Sequence, residues 1–109
     1  MVLDKQRALK ELGIPEELYI ELLSDLLTQV DGAIVGLEGA ILANDFNTII
    51  QIAHSIKGSA GNMRADEIYG TAKDIEQAAR EGKDMKIIKE GVDKLRAQFA
   101  ELKKAMNRG

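Results

Sequence analysis

The chain has 109 residues, enough for one domain with a single hydrophobic core and little to spare. Apolar residues make up 45% and aromatics 4%, with one proline and no tryptophan, a composition of packed helices rather than of a β-sandwich. A net charge of −3 spread along the chain offers no polybasic patch for nucleic acid, and the absence of cysteine excludes disulfides, thiol nucleophiles and thiolate metal sites.

No run approaches the ~18–20 apolar residues of a membrane span. The start, MVLDKQRALK, is charged and lacks an apolar core, so no signal peptide is expected. These features predict a soluble, cytoplasmic, single domain over residues 1–109, without internal repeat or linker.

Five helical stretches cover nearly the whole sequence. Leu3 to Leu12 form a short helix closed by Gly13, with Pro15 placed in the first turn of the next. Tyr19, Leu23, Leu26, Val30, Ile34, Leu37 and Ile41 then recur at steps of three and four. That stripe keeps its phase across Gly32, Gly36 and Gly39, so one long helix is expected over residues 15–43. Asn44 ends it and Asp45 caps a third helix, 46–62, which buries Phe46, Ile49, Ala53, Ile56, Ala60 and Met63. A fourth, 66–81, buries Ile68, Ala72, Ile75 and Ala79 and stops at Gly82. Asp84 caps the fifth, whose stripe is Ile88, Val92, Leu95, Phe99, Leu102 and Met106. Long amphipathic helices joined by very short turns predict an all-α fold, an antiparallel up-down four-helix bundle with the short N-terminal helix added at one end.

The chemistry converges on the third helix, in AHSIKGSAGNM at residues 53–63, which holds the sole histidine, His54. At about 100° per residue, His54 projects about 140° from the centre of the apolar stripe and Lys57 about 80°. Lys57, Gly58 and Gly61 stand three, four and seven residues after His54, on its side of the helix. The spacing puts an imidazole beside an ammonium, with two glycines read as keeping the surface around them clear. A lone helical histidine is more often an idle surface residue, but these neighbours point elsewhere. Neutral imidazole is a competent nucleophile near pH 7, and a compact cation one turn away suits phosphoryl oxygens. Glu76 lies about 80° off the fourth helix's stripe, at the edge facing the third helix. No second histidine and no HExxH or ExxH pattern occurs, so no metal site is expected. GxxxxGK[ST] and GxGxxG are absent too, so neither ATP nor another cofactor is expected. An acceptor without nucleotide machinery is a carrier rather than a kinase.

AHSIKGSAGNM closely resembles the signature of the histidine-containing phosphotransfer (HPt) domain family, helical-bundle carriers of phosphorelays. Upstream, LEGAILANDFNTIIQIAH resembles the family's long helix, tight acidic turn and entry to the histidine helix. Downstream, ADEIYGTAKDIEQAAREGK resembles its following helix and glycine exit, so the pattern spans residues 18–84. The resemblance implies that His54 is phosphorylated, that Lys57 contacts the phosphoryl group and that Gly58 leaves room for it. It also implies that Glu76 reaches the histidine ring, and that the partners are response-regulator receiver domains and a histidine kinase or hybrid sensor kinase. A monomer without nucleic-acid or membrane partners is expected. The chain departs from the family at Arg64, where a glycine commonly stands ten residues after the histidine, so the resemblance gives no geometry for the end of the third helix. Two other readings compete: a docking module that carries no phosphate, for which loss of His54 or Lys57 would be the mark, and an enzyme using His54 as general base, for which no pocket or cofactor motif speaks.

Overall fold

In the computed structural model, which describes residues 3–107, every regular element among the described residues is helical. The expected domain of residues 1–109 therefore includes four terminal residues, Met1, Val2, Arg108 and Gly109, that lie outside the described residues.

The short helix α1, Lys5–Leu12, begins two residues later than the stripe suggested. Asp4 caps it, its carboxylate accepting from the backbone N–H of Arg7 at 3.1 Å, and so stands outside the helix. The second, α2, runs unbroken from Glu16 to Leu42. Pro15 precedes it with an extended backbone (ψ 148°) and is its cap, a correction to the first-turn placement, since the fixed proline φ suits either position. Helices α3 (Phe46–Asn62), α4 (Asp66–Arg80) and α5 (Met85–Asn107) follow. Asp45 caps α3 through Thr48, and the Asp84 carboxylate accepts from the N–H of Lys86 at 2.8 Å at the start of α5.

Three helices end in one way. After α2, α3 and α4 the chain enters the left-handed region at Asn44, Arg64 and Gly82. In each case the next N–H reaches back to a carbonyl in the helix's last turn: Asp45 to Ala40, Ala65 to Ala60 and Lys83 to Ala78, all at 2.9 Å. The end of α3, for which the resemblance gave no geometry, is thus a left-handed stop at Arg64. Arg64 takes φ +60°, a conformation that disfavours any residue with a Cβ. Its side chain offsets the cost by donating from Nε to Glu11 at 2.8 Å and from a terminal nitrogen to the Gly61 carbonyl at 3.0 Å.

Helix α2 packs on α3 and α5, and α4 packs on the same two, so each long helix touches two others around a shared core. Tyr19, Leu23, Val30, Leu37, Ile49, Ile56, Ile68, Ile75, Ile88 and Leu95 are fully buried there. Ile41, Phe46, Phe99 and Met106, expected in the core, are only partly buried at its edge, and Ala40 is buried instead of Ile41. The Tyr19 hydroxyl donates to the Met63 carbonyl at 2.7 Å, fastening the start of α2 to the end of the histidine helix. Burial pushes that phenol's pKa up to about 12. None of the described helices is long and apolar enough to cross a membrane.

Candidate functional site

Ala53, Ile56 and Ala60 fix the rotation of α3 by burying completely against the core. His54, one residue past Ala53, is therefore turned outward, and its side chain is 65% exposed. Helix α4 is fixed in the same way by Ala72, Ile75 and Ala79. Its Glu76 follows Ile75 directly and falls into the seam between α3 and α4, where only 5% of its surface remains exposed. The structure brings these two residues together as the sequence reading expected.

Burying a carboxylate is costly unless its oxygens are bonded and its charge is matched. Both conditions hold. Oε2 lies 3.0 Å from His54 Nδ1 and accepts from Arg80 at 2.8 and 3.2 Å. Oε1 lies 2.6 Å from the Lys57 ammonium. The Lys57 contact above all, then Arg80 and His54, hold the Glu76 carboxyl down at about 2 against the opposing effect of burial. Glu76 is thus a fixed negative charge across the physiological range. An ionised carboxylate accepts hydrogen bonds and does not donate, so the proton on the imbedded side of the ring belongs to Nδ1. In the neutral ring the lone pair then falls on Nε2, on the exposed side.

Lys57, which the resemblance implies contacts the phosphoryl group, bonds Glu76 through its ammonium beside His54, and its side chain is 25% exposed. At Gly58 a Cβ built on the backbone meets no neighbouring group within 4 Å, so nothing in the fold itself asks for a glycine. Gly61 does not fit the expectation. A Cβ at that position would lie 3.2 Å from the ring of Tyr69 on α4, so its missing side chain makes room for a neighbour inside the domain rather than for a partner outside it.

Arg80 is the residue that sequence reasoning missed. It stands four residues after Glu76, the spacing that places two helical side chains on one face, and that spacing was the available signal. With Lys57, Lys73, Glu76 and Gln77 it lines a recess of about 150 Å³ beside the histidine. Three cations and one carboxylate leave this patch positive. On the opposite flank of α3, Ser59, Asn62 and Met63 form one wall of a groove of about 430 Å³, whose other wall is Leu12, Ile14, Leu22 and Leu26. Ser55, on the same flank, accepts from the amide of Gln29 at 3.1 Å and is tied to α2. His54 lines neither recess. Among the described residues no group of three or more His, Asp or Glu side chains could hold a metal ion.

The arrangement is an exposed imidazole held by a carboxylate at Nδ1, beside two cations and an unobstructed surface. A neutral imidazole so placed is suited to attack on an electrophilic centre bearing negative oxygens. The family model described as Hpt domain matches residues 21–105, which takes in His54, Lys57, Gly58, Glu76 and Arg80. No curated protein and no solved structure matches the chain.

Proposed function

The chain belongs to the Hpt domain family, the phosphotransfer carriers of two-component phosphorelays, and on that premise we propose that His54 is the residue that carries the phosphoryl group. The observation that supports this most directly is the contact of His54 Nδ1 with the buried Glu76, which turns Nε2 of the ring outward and, in the neutral ring, gives it the lone pair. The lone pair of Nε2 attacks phosphorus of a receiver's aspartyl phosphate. The P–O bond breaks and its electron pair leaves with the aspartate carboxylate. The ring keeps its Nδ1 proton and gains a positive charge, which Glu76 faces directly. Transfer to a second receiver aspartate is the same step reversed. No proton has to move, so no general base is needed at the site.

Receiver domains and histidine kinases are the partners of Hpt domains. For this chain we assign exchange with receiver aspartates, or loading by a histidine kinase or hybrid sensor kinase, over the face that carries His54 and the open surface at Gly58. The apolar groove beside Ser59 and Asn62 supports docking there, since apolar area flanking a reactive centre is what a transient partner covers. The reading includes a single domain acting as a monomer in the cytoplasm, with α2 to α5 running alternately up and down as an antiparallel four-helix bundle and α1 added at one end. The tight reversals at Asn44, Arg64 and Gly82 support that arrangement.

The test is to incubate the domain with a panel of ³²P-labelled receiver domains. Label should pass to the parent and not to His54→Gln, which should melt as the parent does because the replaced side chain is exposed. Label retained by His54→Gln, or stable to mild acid as a phosphoester would be, removes His54 as the carrier.

A further inference from the structure

Lys57 bonds Oε1 of Glu76 through its ammonium, and an exchange of that ammonium to phosphoryl oxygens would withdraw it from the carboxylate. Glu76 would then sit in the seam between α3 and α4 without the cation that bonds Oε1. The structure contains a second cation on that carboxylate. Arg80 reaches back one turn along α4 and donates to Oε2 from both Nε and a terminal nitrogen, at 3.2 and 2.8 Å. The oxygen it grips is the same one that accepts from His54 Nδ1. Arg80 is thus placed to hold in position the atom that orients the imidazole, whichever way Lys57 points.

We propose that Arg80 is a positioning residue for phosphotransfer: it retains the Glu76 carboxylate through Oε2, so that Lys57 is free to exchange from Oε1 to the phosphoryl oxygens when His54 is loaded. The inference rests on the reading of His54 as the phosphoryl carrier. An ordinary Glu–Arg pair four residues apart on a helix is solvated on both sides and contributes little beyond local helix support. This one differs because the carboxylate end is buried and already shared with the reactive ring, while the arginine side chain stays 58% exposed. Its fork-shaped donor set engages one oxygen twice, which an ammonium cannot reproduce. The two cations also divide the carboxylate cleanly, Lys57 on one oxygen and Arg80 on the other. Departure of either therefore leaves the other's bond intact.

Two measurements on Arg80→Ala, Arg80→Lys, Lys57→Ala and the Arg80→Ala/Lys57→Ala double variant test the proposal. The first is the NMR titration of the His54 ring in the unphosphorylated domain. Removing the arginine leaves Glu76 less neutralised, so the imidazole of Arg80→Ala should titrate at higher pH than the parent's. The second is the rate of phosphoryl transfer from a labelled receiver domain. Arg80→Ala should slow transfer roughly three- to tenfold, because Lys57 becomes the carboxylate's main cation and leaves it less readily. Arg80→Lys should recover part of the rate, and the effect of Arg80→Ala should shrink when Lys57 is already alanine. A parent-like titration together with a parent-like rate would overturn the proposal, and so would effects of the two substitutions that simply add. If the parent itself takes no label on His54, the carrier reading fails. A shifted titration in Arg80→Ala would then still bear out the hold on Glu76, while the exchange of Lys57 would fall with the carrier reading.

Discussion

Two clusters of charge in this small protein use nearly the same side chains to different ends. At the junction of α1 with the turn between α3 and α4, Arg7 bonds Asp66, Arg64 bonds Glu11 at 2.8 Å, and Arg7 lies 3.4 Å from Glu11. That group is balanced, two cations to two carboxylates, and each side chain is roughly a third or more exposed. Between α3 and α4, Lys57, Arg80 and His54 surround Glu76, whose side chain is 6% exposed. The second group is buried at its centre and has a cation to spare. In water a balanced cluster steadies a turn and does little more. A buried carboxylate with surplus cations stays ionised, orients a neighbouring ring and keeps positive charge ready for an added anion.

The comparison breaks most visibly at Lys57. A charge-assisted contact to phosphoryl oxygens is worth roughly 1.5–3 kcal/mol, so Lys57→Ala should slow transfer by about one to two decades at that scale. The check is a single-turnover assay with a labelled receiver, and an unchanged rate would make the lysine a structural partner of Glu76 only.

Acid should separate the clusters next. The Glu76 carboxyl is held near 2, below its ordinary 4.5, so the stability it contributes is fully present above about pH 4.5 and is lost as pH falls toward 2. Glu76→Gln should flatten that part of the stability-against-pH curve, measured by urea unfolding at a series of pH values. Glu11→Gln should leave it as in the parent.

Gly58 sharpens the functional side. Glycine in a helix interior costs roughly 0.5–1 kcal/mol against alanine, and no atom lies near a Cβ built there. Gly58→Ala and Gly58→Leu should therefore melt at or above the parent temperature. Transfer should slow in both, more in leucine, because side chains lean toward the helix N-terminus and would cover the turn that carries His54. Unfolding of Gly58→Leu would contradict the placement of this face.

The smallest effect belongs to the exposed cluster. Glu11→Ala should destabilise by no more than about 1 kcal/mol in thermal melts and less in high salt, with transfer unaffected.

The fold was legible from periodicity because the stripes of α2, α3, α4 and α5 are long and capped by Asp45, Asp84 and Gly82, each a residue whose chemistry marks a helix end. His54 and Glu76 were legible by angle, since each falls next to a residue that packing fixes, Ala53 and Ile75. Three features were not. The left-handed Arg64 resembles no helix stop by residue type, and it is held by a long-range bond to Glu11 that no local pattern encodes. Gly61 looked like cleared surface because its neighbour Tyr69 comes from the next helix. The commitment of Lys57 and Arg80 to opposite oxygens of one carboxylate depends on the seam between α3 and α4, which helical angle alone does not resolve.

On the function proposed for His54, Glu76 fixes the proton on Nδ1 so that Nε2 receives the phosphoryl group. Long-range ¹H–¹⁵N NMR of the His54 ring, before loading and after reaction with a small-molecule phosphoryl donor, tests it most directly. The neutral ring should be protonated at Nδ1 before loading and show a phosphorus coupling at Nε2 afterwards, with the Nδ1 preference lost in Glu76→Gln. A parent ring protonated at Nε2, or a phosphoryl group on Nδ1, would contradict it.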